Sequence, residues 1–323
     1  MICAADLVET TPGQHPADAA WFLRGLMRHR RLLPGEPGPE ARCAVDPCGS
    51  CIEPHLPRVR RFLASGSPVH MILPAFPAKS PSPRKVLGTL PDMAEEVALR
   101  FLQALCDDLA GARGTGARIT ICSDGRVFGD LVGVLEGDVA RYARALRAMI
   151  ARLDLPALDV FDLTDVSHAG DGPRASLAPF EEPLPAIAAR VLSDPSEHAL
   201  WCGLQRFLFE DRLGLPGGHS RTRLRRSCGE LAYRVMQRSQ AWSRLIAARF
   251  PHALRLSIHP QPPHGPKIGI RLGAASDRWL TPWHGVAVRV RGRFQLFHRH
   301  EAERMGGRLV DRDGRPSHFE IPC

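Results

Sequence analysis

Lysine is almost missing from this sequence. Of 43 basic residues 40 are arginine, and the three lysines are Lys79, Lys85 and Lys267. Where arginine fills most basic positions, a retained lysine points to a need for a compact, titratable ammonium; chance placement on a solvated loop is the plainer alternative. Aromatic residues make up only 6% of the chain, which counts against the interleaved stacking platform of single-stranded nucleic-acid binders. The net charge of +9 favours anionic partners. Its arginines are scattered, however, so a phosphorylated small molecule serves as well as a nucleic acid. A basic, non-catalytic nucleic-acid-binding protein stays as the competing class. No apolar run approaches the length of a membrane span. The first residues lack a basic segment followed by an apolar one, so no signal peptide is read and the cytoplasm is the expected location. No G-x-G-x-x-G opens a strand–helix unit, which argues against a dinucleotide, and no G-x-S-x-G marks a hydrolase elbow.

Nine cysteines, an odd number spread widely, speak against a disulfide framework. Cys43, Cys48, Cys51 and His55 have the ligand types of a tetrahedral zinc site. Their spacing is not that of the common zinc fingers, and one C-x-x-C is a weak signal, so unpaired thiols and no metal are the expectation.

The length of 323 residues supports one elaborate domain or two. Residues 1–50 read as an N-terminal extension: a polar, disordered start to about residue 15, an amphipathic helix over 16–33 with Trp21, Phe22, Leu26 and Leu33 on one side, and a proline- and glycine-rich linker over 34–50. Residues 51–323 read as one α/β domain.

Two stretches organise that domain. The first begins with the apolar strand Val69 to Leu73 and breaks into a loop in which Pro74, Pro77, Pro81 and Pro83 forbid a helix and remove ladder donors. The loop carries Lys79, Ser80, Arg84 and Lys85. A helix then opens at Asp92, with Glu95 completing a capping box and Val97, Phe101, Leu105 and Leu109 forming a core-facing stripe. Further β–loop–α units follow from Arg118 to Cys122 and from Leu158 to Leu163, with a helix capped by Asp138 between them. Parallel strands with right-handed crossovers are implied, a Rossmann-like, mostly parallel sheet flanked by helices. Charged residues again follow a strand end in the segment Ser123 to Asp130. Helical patterns cover 184–213 and 224–250, on either side of the break at Gly214–Gly218.

In the second stretch, Leu254 to His284, alternation puts Arg255, Ser257 and His259 on one strand face, and Lys267 and Arg271 on one face of the next. If the two pair through the Pro260–Pro266 loop, one polar surface results, suited to an acid/base group near an anion site; a solvent-facing sheet looks similar. The aromatic turn Trp279 to Gly285 and strands near 286–290 and 294–297 add a C-terminal antiparallel portion.

Leu73 through Pro81, Leu90 through Glu95, Ser123 through Phe128, Arg255 through Pro260 and Thr281 through Gly285 closely resemble, in the same order, the isocyanide (isonitrile) synthases of the pyoverdine/dityrosine biosynthesis family. The likeness runs from about residue 55 to 320. It implies a Rossmann-like enzyme that turns the amino group of an amino acid, typically tyrosine or tryptophan, into an isocyanide. By the same resemblance ribulose 5-phosphate supplies the carbon, no metal or organic cofactor is used, and the product passes to a downstream oxygenase; a related phosphosugar lyase with altered chemistry is the alternative. For that chemistry an amine must lose a proton and a carbinolamine must lose water, which suits a group titrating near neutrality. His259 and His284 are the candidates, or else hydrogen-bonded structural histidines. Lys79, Ser80, Lys85, Arg255 and Lys267 form the pool for the sugar phosphate, with Ser257 beside them. Asp124 or Asp130 would move protons at sugar hydroxyls, unless they merely cap a loop. Phe76 or Trp283 would flank an aromatic substrate, unless they pack the core.

Overall fold

The computed structural model describes residues 15–32, 43, 46–110, 116–167, 172, 174–213, 220–273 and 280–321. The expected disordered start, much of the expected linker, Gly111 to Thr115, the Gly214–Gly218 break and Trp279 lie outside them. The strands are β1 (Val69–Pro74), β2 (Ala117–Cys122), β3 (Leu158–Phe161), β4 (Leu254–Ser257), β5 (Ile268–Gly269), β6 (Val286–Val290), β7 (Arg293–Phe297), β8 (Arg308–Arg312) and β9 (Arg315–Glu320). The main helices are α1 (His15–Met27), α2 (Leu56–Ala64), α3 (Met93–Ala110), α4 (Gly125–Val132), α5 (Glu136–Arg152), α6 (Leu184–Ser193), α7 (Pro195–Arg212), α8 (Arg221–Arg249) and α9 (Arg299–Arg304).

Strands β1 to β5 form one all-parallel sheet in the order β3-β2-β1-β4-β5, as the β–loop–α pattern requires. β1 is buried along nearly its whole length, which is why its sequence is continuously apolar rather than alternating. One face of the sheet packs on α1, α2, α3 and α5, the other on α8 through Trp242, Leu245 and Ile246. The second sheet runs β7-β6-β9-β8 and is antiparallel except where β6 lies parallel to β9.

The start of α3 follows its capping box: Asp92 Oδ1 accepts from Ala94 N at 2.8 Å, and Glu95 Oε2 accepts from Asp92 N at 3.0 Å. Asp138 is not the cap expected of it. α5 begins at Glu136 after Leu135, and Asp138 sits in the first turn, where its charge still favours the positive helix end. The segment after β2 is α4, with Asp124 at the N-cap position but making no cap bond, and Gly133 closing it in the left-handed region at φ 83°.

Two departures concern the ends of the domain. α1 stops at Met27, and Phe22, Leu23, Leu26 and Met27 join the main core while Trp21 stays 43% exposed. The chain beyond α1 docks by main-chain bonds on the far edge of the sheet, Arg31 N donating to Gly269 O at 2.8 Å. Gly269 permits this approach, because a Cβ there would stand 2.3 Å from Arg31 O. The second departure is that β4 and β5 pair in parallel, Leu256 with Ile268, and not as a hairpin. β5 is only two residues long, and Arg271 turns off the sheet to donate to Arg28 O, so the five-residue polar surface expected across the pair is not built.

Candidate active site

β1 and β4 are neighbours, Met71 beside Leu254 and Ile72 beside Arg255, yet 180-odd residues of chain separate them. From β1 the chain winds to one side through β2 and β3; it returns to β4 and goes on to β5 on the other. Such a reversal leaves a crevice at the carboxyl ends of the strands, the usual ligand position in open α/β sheets. The proline-rich loop after β1 and the Ile258–Pro260 segment after β4 therefore emerge side by side. With α4, α7 and the turn at Thr281–His284 they enclose a cavity of about 690 Å³, within the usual range for small-molecule sites. Gly125 lets the loop close on α4: a Cβ there would lie 2.0 Å from Pro77 O.

Seven of the twelve expected residues line this cavity: Lys79, Ser80, Lys85, Asp124, His259, Trp283 and His284. Their roles differ. Lys79 is fully buried and its ammonium is spent on Asp92 at 2.9 Å, Glu95 at 2.8 Å and the Pro282 carbonyl at 3.0 Å. With all three donors engaged it is an anchor beneath the cavity floor, not an available phosphate ligand. Glu95 also accepts from Tyr142 Oη at 3.1 Å. Burial pushes the Glu95 carboxyl up to about 7 against the opposing pull of Lys79.

Lys85 stays open to the cavity. Its ammonium lies 2.5 Å from Asp211 Oδ1 and over the Phe207 ring, 5.6 Å from the centroid. Ser80 Oγ donates to the same Asp211 oxygen at 3.3 Å. His284 Nε2 stands 3.7 Å from Asp211 Oδ2, while its Nδ1 pairs with Thr281 Oγ1 at 3.1 Å. Burial pushes the Asp211 carboxyl up, but His284 and then Lys85 outweigh it and hold the group below the usual carboxylate range. This buried carboxylate is the hub of the polar wall, and it was not among the expected residues. Its signal was present: Leu200, Leu204, Phe207 and Asp211 share one face of α7, an acid on an apolar stripe.

Asp124 is the opposite case. Its side chain does not cap α4 and Oδ1 has no hydrogen-bond partner. The carboxyl lines the cavity, and burial pushes it up to about 7. A carboxyl without a cation, poised near neutrality, has the properties of a general base. His259 lines the cavity with its side chain exposed. The protein around it, aided by Arg31, Lys267 and His284, lowers its basicity below that of an ordinary histidine. Arg31, also unexpected, braces the backbone on both sides of this ring, donating to Ile258 O at 2.7 Å and Leu280 O at 3.4 Å.

The other five expected residues lie elsewhere. Asp130 is on the surface, clamped by both guanidinium nitrogens of Arg238 at 2.5 and 3.1 Å and by Arg174 at 3.1 Å. Arg255 points to α8 and donates to Ser243 O and Oγ at 3.2 and 2.9 Å. Ser257 Oγ accepts from His259 N at 3.1 Å, a local turn that ends the strand alternation before His259. Lys267 lines a separate crevice with Arg30 and His55. Phe76 is completely buried against Trp283, ring centroids 5.2 Å apart, and belongs to the core.

Other hollows are less suited to chemistry. The one beside Glu96 has that carboxylate already paired with Arg100, Arg152 and Arg312 at 3.0 to 3.6 Å. The one around His70 and Arg118 lies at the amino ends of the strands.

Comparison with known proteins agrees with this architecture. The family profile described as "Pyoverdine/dityrosine biosynthesis protein" matches residues 59–310. The L-tryptophan isonitrile synthase AmbI2 of Fischerella ambigua is 44% identical over 302 residues, covering 92% of this chain and 90% of that one. The L-tyrosine isonitrile synthase of Pseudomonas aeruginosa is 42% identical over 312 residues, 94% of each chain. The crystal structure of PvcA from Pseudomonas aeruginosa superposes with a TM-score of 0.86 at 42% identity, over 94% of this chain and 100% of that one. The chain thus belongs to the pyoverdine/dityrosine biosynthesis family.

Proposed function

We propose that this protein is an isonitrile synthase, a lyase-type enzyme that converts the α-amino group of tyrosine or tryptophan to an isocyanide with ribulose 5-phosphate as carbon donor. The observation that supports this most is the composition of the cavity: one carboxyl without a cation, near neutrality, and one imidazole of lowered basicity face a cation-bearing wall. The substrates named for the two isonitrile synthases above motivate the choice of amino acid.

In this reading the phosphate of the sugar lies against Lys85, which can exchange its bond to Asp211 for one to the anion, with Ser80 Oγ as a second donor. His284, oriented by Thr281, serves the same wall. The aromatic side chain packs on the apolar face of α7, at Leu204 and Phe207, and on Phe128 of α4. His259 takes the proton from the ammonium so that the amine attacks the ketone. Asp124, protonated about half the time near neutral pH, returns a proton as water leaves the carbinolamine and then moves protons at the sugar hydroxyls. Trp283 and Lys79 hold the floor beneath them. The cytoplasm is the proposed location, and a downstream oxygenase the proposed recipient of the isocyanide.

The test is incubation with each proteinogenic amino acid plus ribulose 5-phosphate, followed by infrared detection of the isocyanide stretch and product mass. An isocyanide from tyrosine or tryptophan alone is expected. Turnover without ribulose 5-phosphate, or none with any amino acid, refutes the assignment.

A further inference from the structure

Cys43, Cys48 and Cys51 converge on a histidine, though not the one their spacing suggested. His55 is 1% exposed and its ring bonds to the main chain of Gly265. The fourth member of the cluster is His264, more than two hundred residues further along the chain. Cys43, Cys48, Cys51 and His264 place one ligand atom each within 4.8 Å of all the others. Cys48 Sγ lies 3.7 Å from Cys51 Sγ and 3.5 Å from His264 Nε2, and Cys43 Sγ lies 3.8 Å from that nitrogen.

These separations have a physical meaning. Zinc–sulfur bonds of about 2.3 Å and zinc–nitrogen bonds of about 2.05 Å at a tetrahedral angle give sulfur–sulfur edges of about 3.8 Å and sulfur–nitrogen edges of about 3.6 Å. Three of the six edges of the cluster match these lengths and the other three are within 4.8 Å, so the thiols and the imidazole surround a point that a tetrahedral metal fits. The cysteines are free thiols, Cys43 and Cys51 buried and Cys48 exposed. The surroundings also suit a charged centre: the Arg30 guanidinium is near enough to favour the Cys51 thiolate, offsetting the negative charge that three thiolates leave on a divalent ion.

We propose that Cys43, Cys48, Cys51 and His264 bind one zinc ion in a closed, four-coordinate structural site. All four positions are filled by protein, so the ion has no place for water or substrate and does no chemistry itself. Its effect is mechanical. It ties Cys43, Cys48 and Cys51 to the loop between β4 and β5, and that loop carries the His259 and Pro260 that line the cavity. The metal thereby fixes the strand-end turn that presents His259.

The test uses the full chain purified without chelator. Elemental analysis is expected to find about one zinc per chain. His264→Ala and Cys48→Ser are each expected to lose at least four-fifths of it, whereas Cys202→Ser, at an exposed thiol outside the cluster, keeps it. Because a variant can fail to fold, the unmodified protein is also alkylated before and after chelation. Cys43, Cys48 and Cys51 are expected to react only after chelation, with Cys202 reacting throughout. Cobalt substitution is expected to give the intense visible bands of a tetrahedral thiolate site. Protein isolated without zinc that takes up none on titration overturns the proposal. So does zinc that survives both variants, or cysteine reactivity that ignores the chelator.

Discussion

Asp124→Asn separates the two consequences of burying a carboxyl at the cavity without a cation. The group sits at the N-terminus of α4 with Oδ1 unpartnered, and burial moves it from 3.8 to about 7. The folded state thus binds its proton more tightly than the unfolded chain does. Below the ordinary carboxylate range both states are protonated and the group is neutral for stability. As pH rises the unfolded chain ionises first, so folding stability falls progressively until about 7 and is level above it. The full shift corresponds to about 4 kcal/mol. Water in the cavity screens the charge, and an effect of about 1 to 3 kcal/mol is expected in practice. Asparagine keeps the shape and cannot ionise. Urea denaturation of both proteins is therefore expected to coincide below about pH 3 and to diverge with rising pH, the variant being the more stable, by the full difference above about pH 7. The same variant is expected to lose at least about a hundredfold in kcat/KM, the usual worth of a positioned acid or base. A stability difference that is constant with pH would show that the carboxyl is not held neutral. Full turnover would remove Asp124 from the mechanism.

Three further outcomes follow from the charge networks. Lys79→Met leaves Asp92 and Glu95 buried without a cation and is expected to cost about 3 kcal/mol by urea denaturation, partly recovered by adding Glu95→Gln; a loss of rate at unchanged stability would return Lys79 to the ligand set. His259→Ala is expected to lower kcat at least about tenfold. Since the basicity of His259 is lowered, the acidic limb of the wild-type kcat/KM profile should fall below the ordinary histidine range, and a limb above it would contradict this. Asp211→Asn frees Lys85 and His284 and is expected to change KM for the phosphosugar more than kcat. Because the carboxyl of Asp211 is depressed, its stabilising part is present above the ordinary carboxylate range and is lost as pH falls through the depressed value. A variant whose acid stability matches the wild type would refute that role.

What the sequence determined by itself was everything governed by neighbours along the chain. The apolar run of β1, the capping box at Asp92 and Glu95 and the alternation of strand and helix all act within a few residues, and the parallel sheet follows from them. Of the stripe expected on α3, Leu105 and Leu109 are buried while Val97 and Phe101 are half-buried, the core face running through Leu99, Leu102 and Cys106. The proline-rich loop and the His259 segment were legible as site material for the same reason, each being a run of polar groups at a strand end. Only the tertiary structure decided which of those polar groups have a charge left over. Lys79 is consumed by two carboxylates, Asp130 by two arginines, and Arg255 turns to α8, whereas Asp124 finds no partner. Asp211 and Arg31 enter the site from a distant helix and from the N-terminal segment, and His264 replaces His55 beside the cysteines. Pattern along the chain reports which face a side chain takes. The availability of an ammonium, carboxylate or imidazole depends on what packs across from it, and that is set by strand order, which brings β1 and β4 together from opposite ends of the chain.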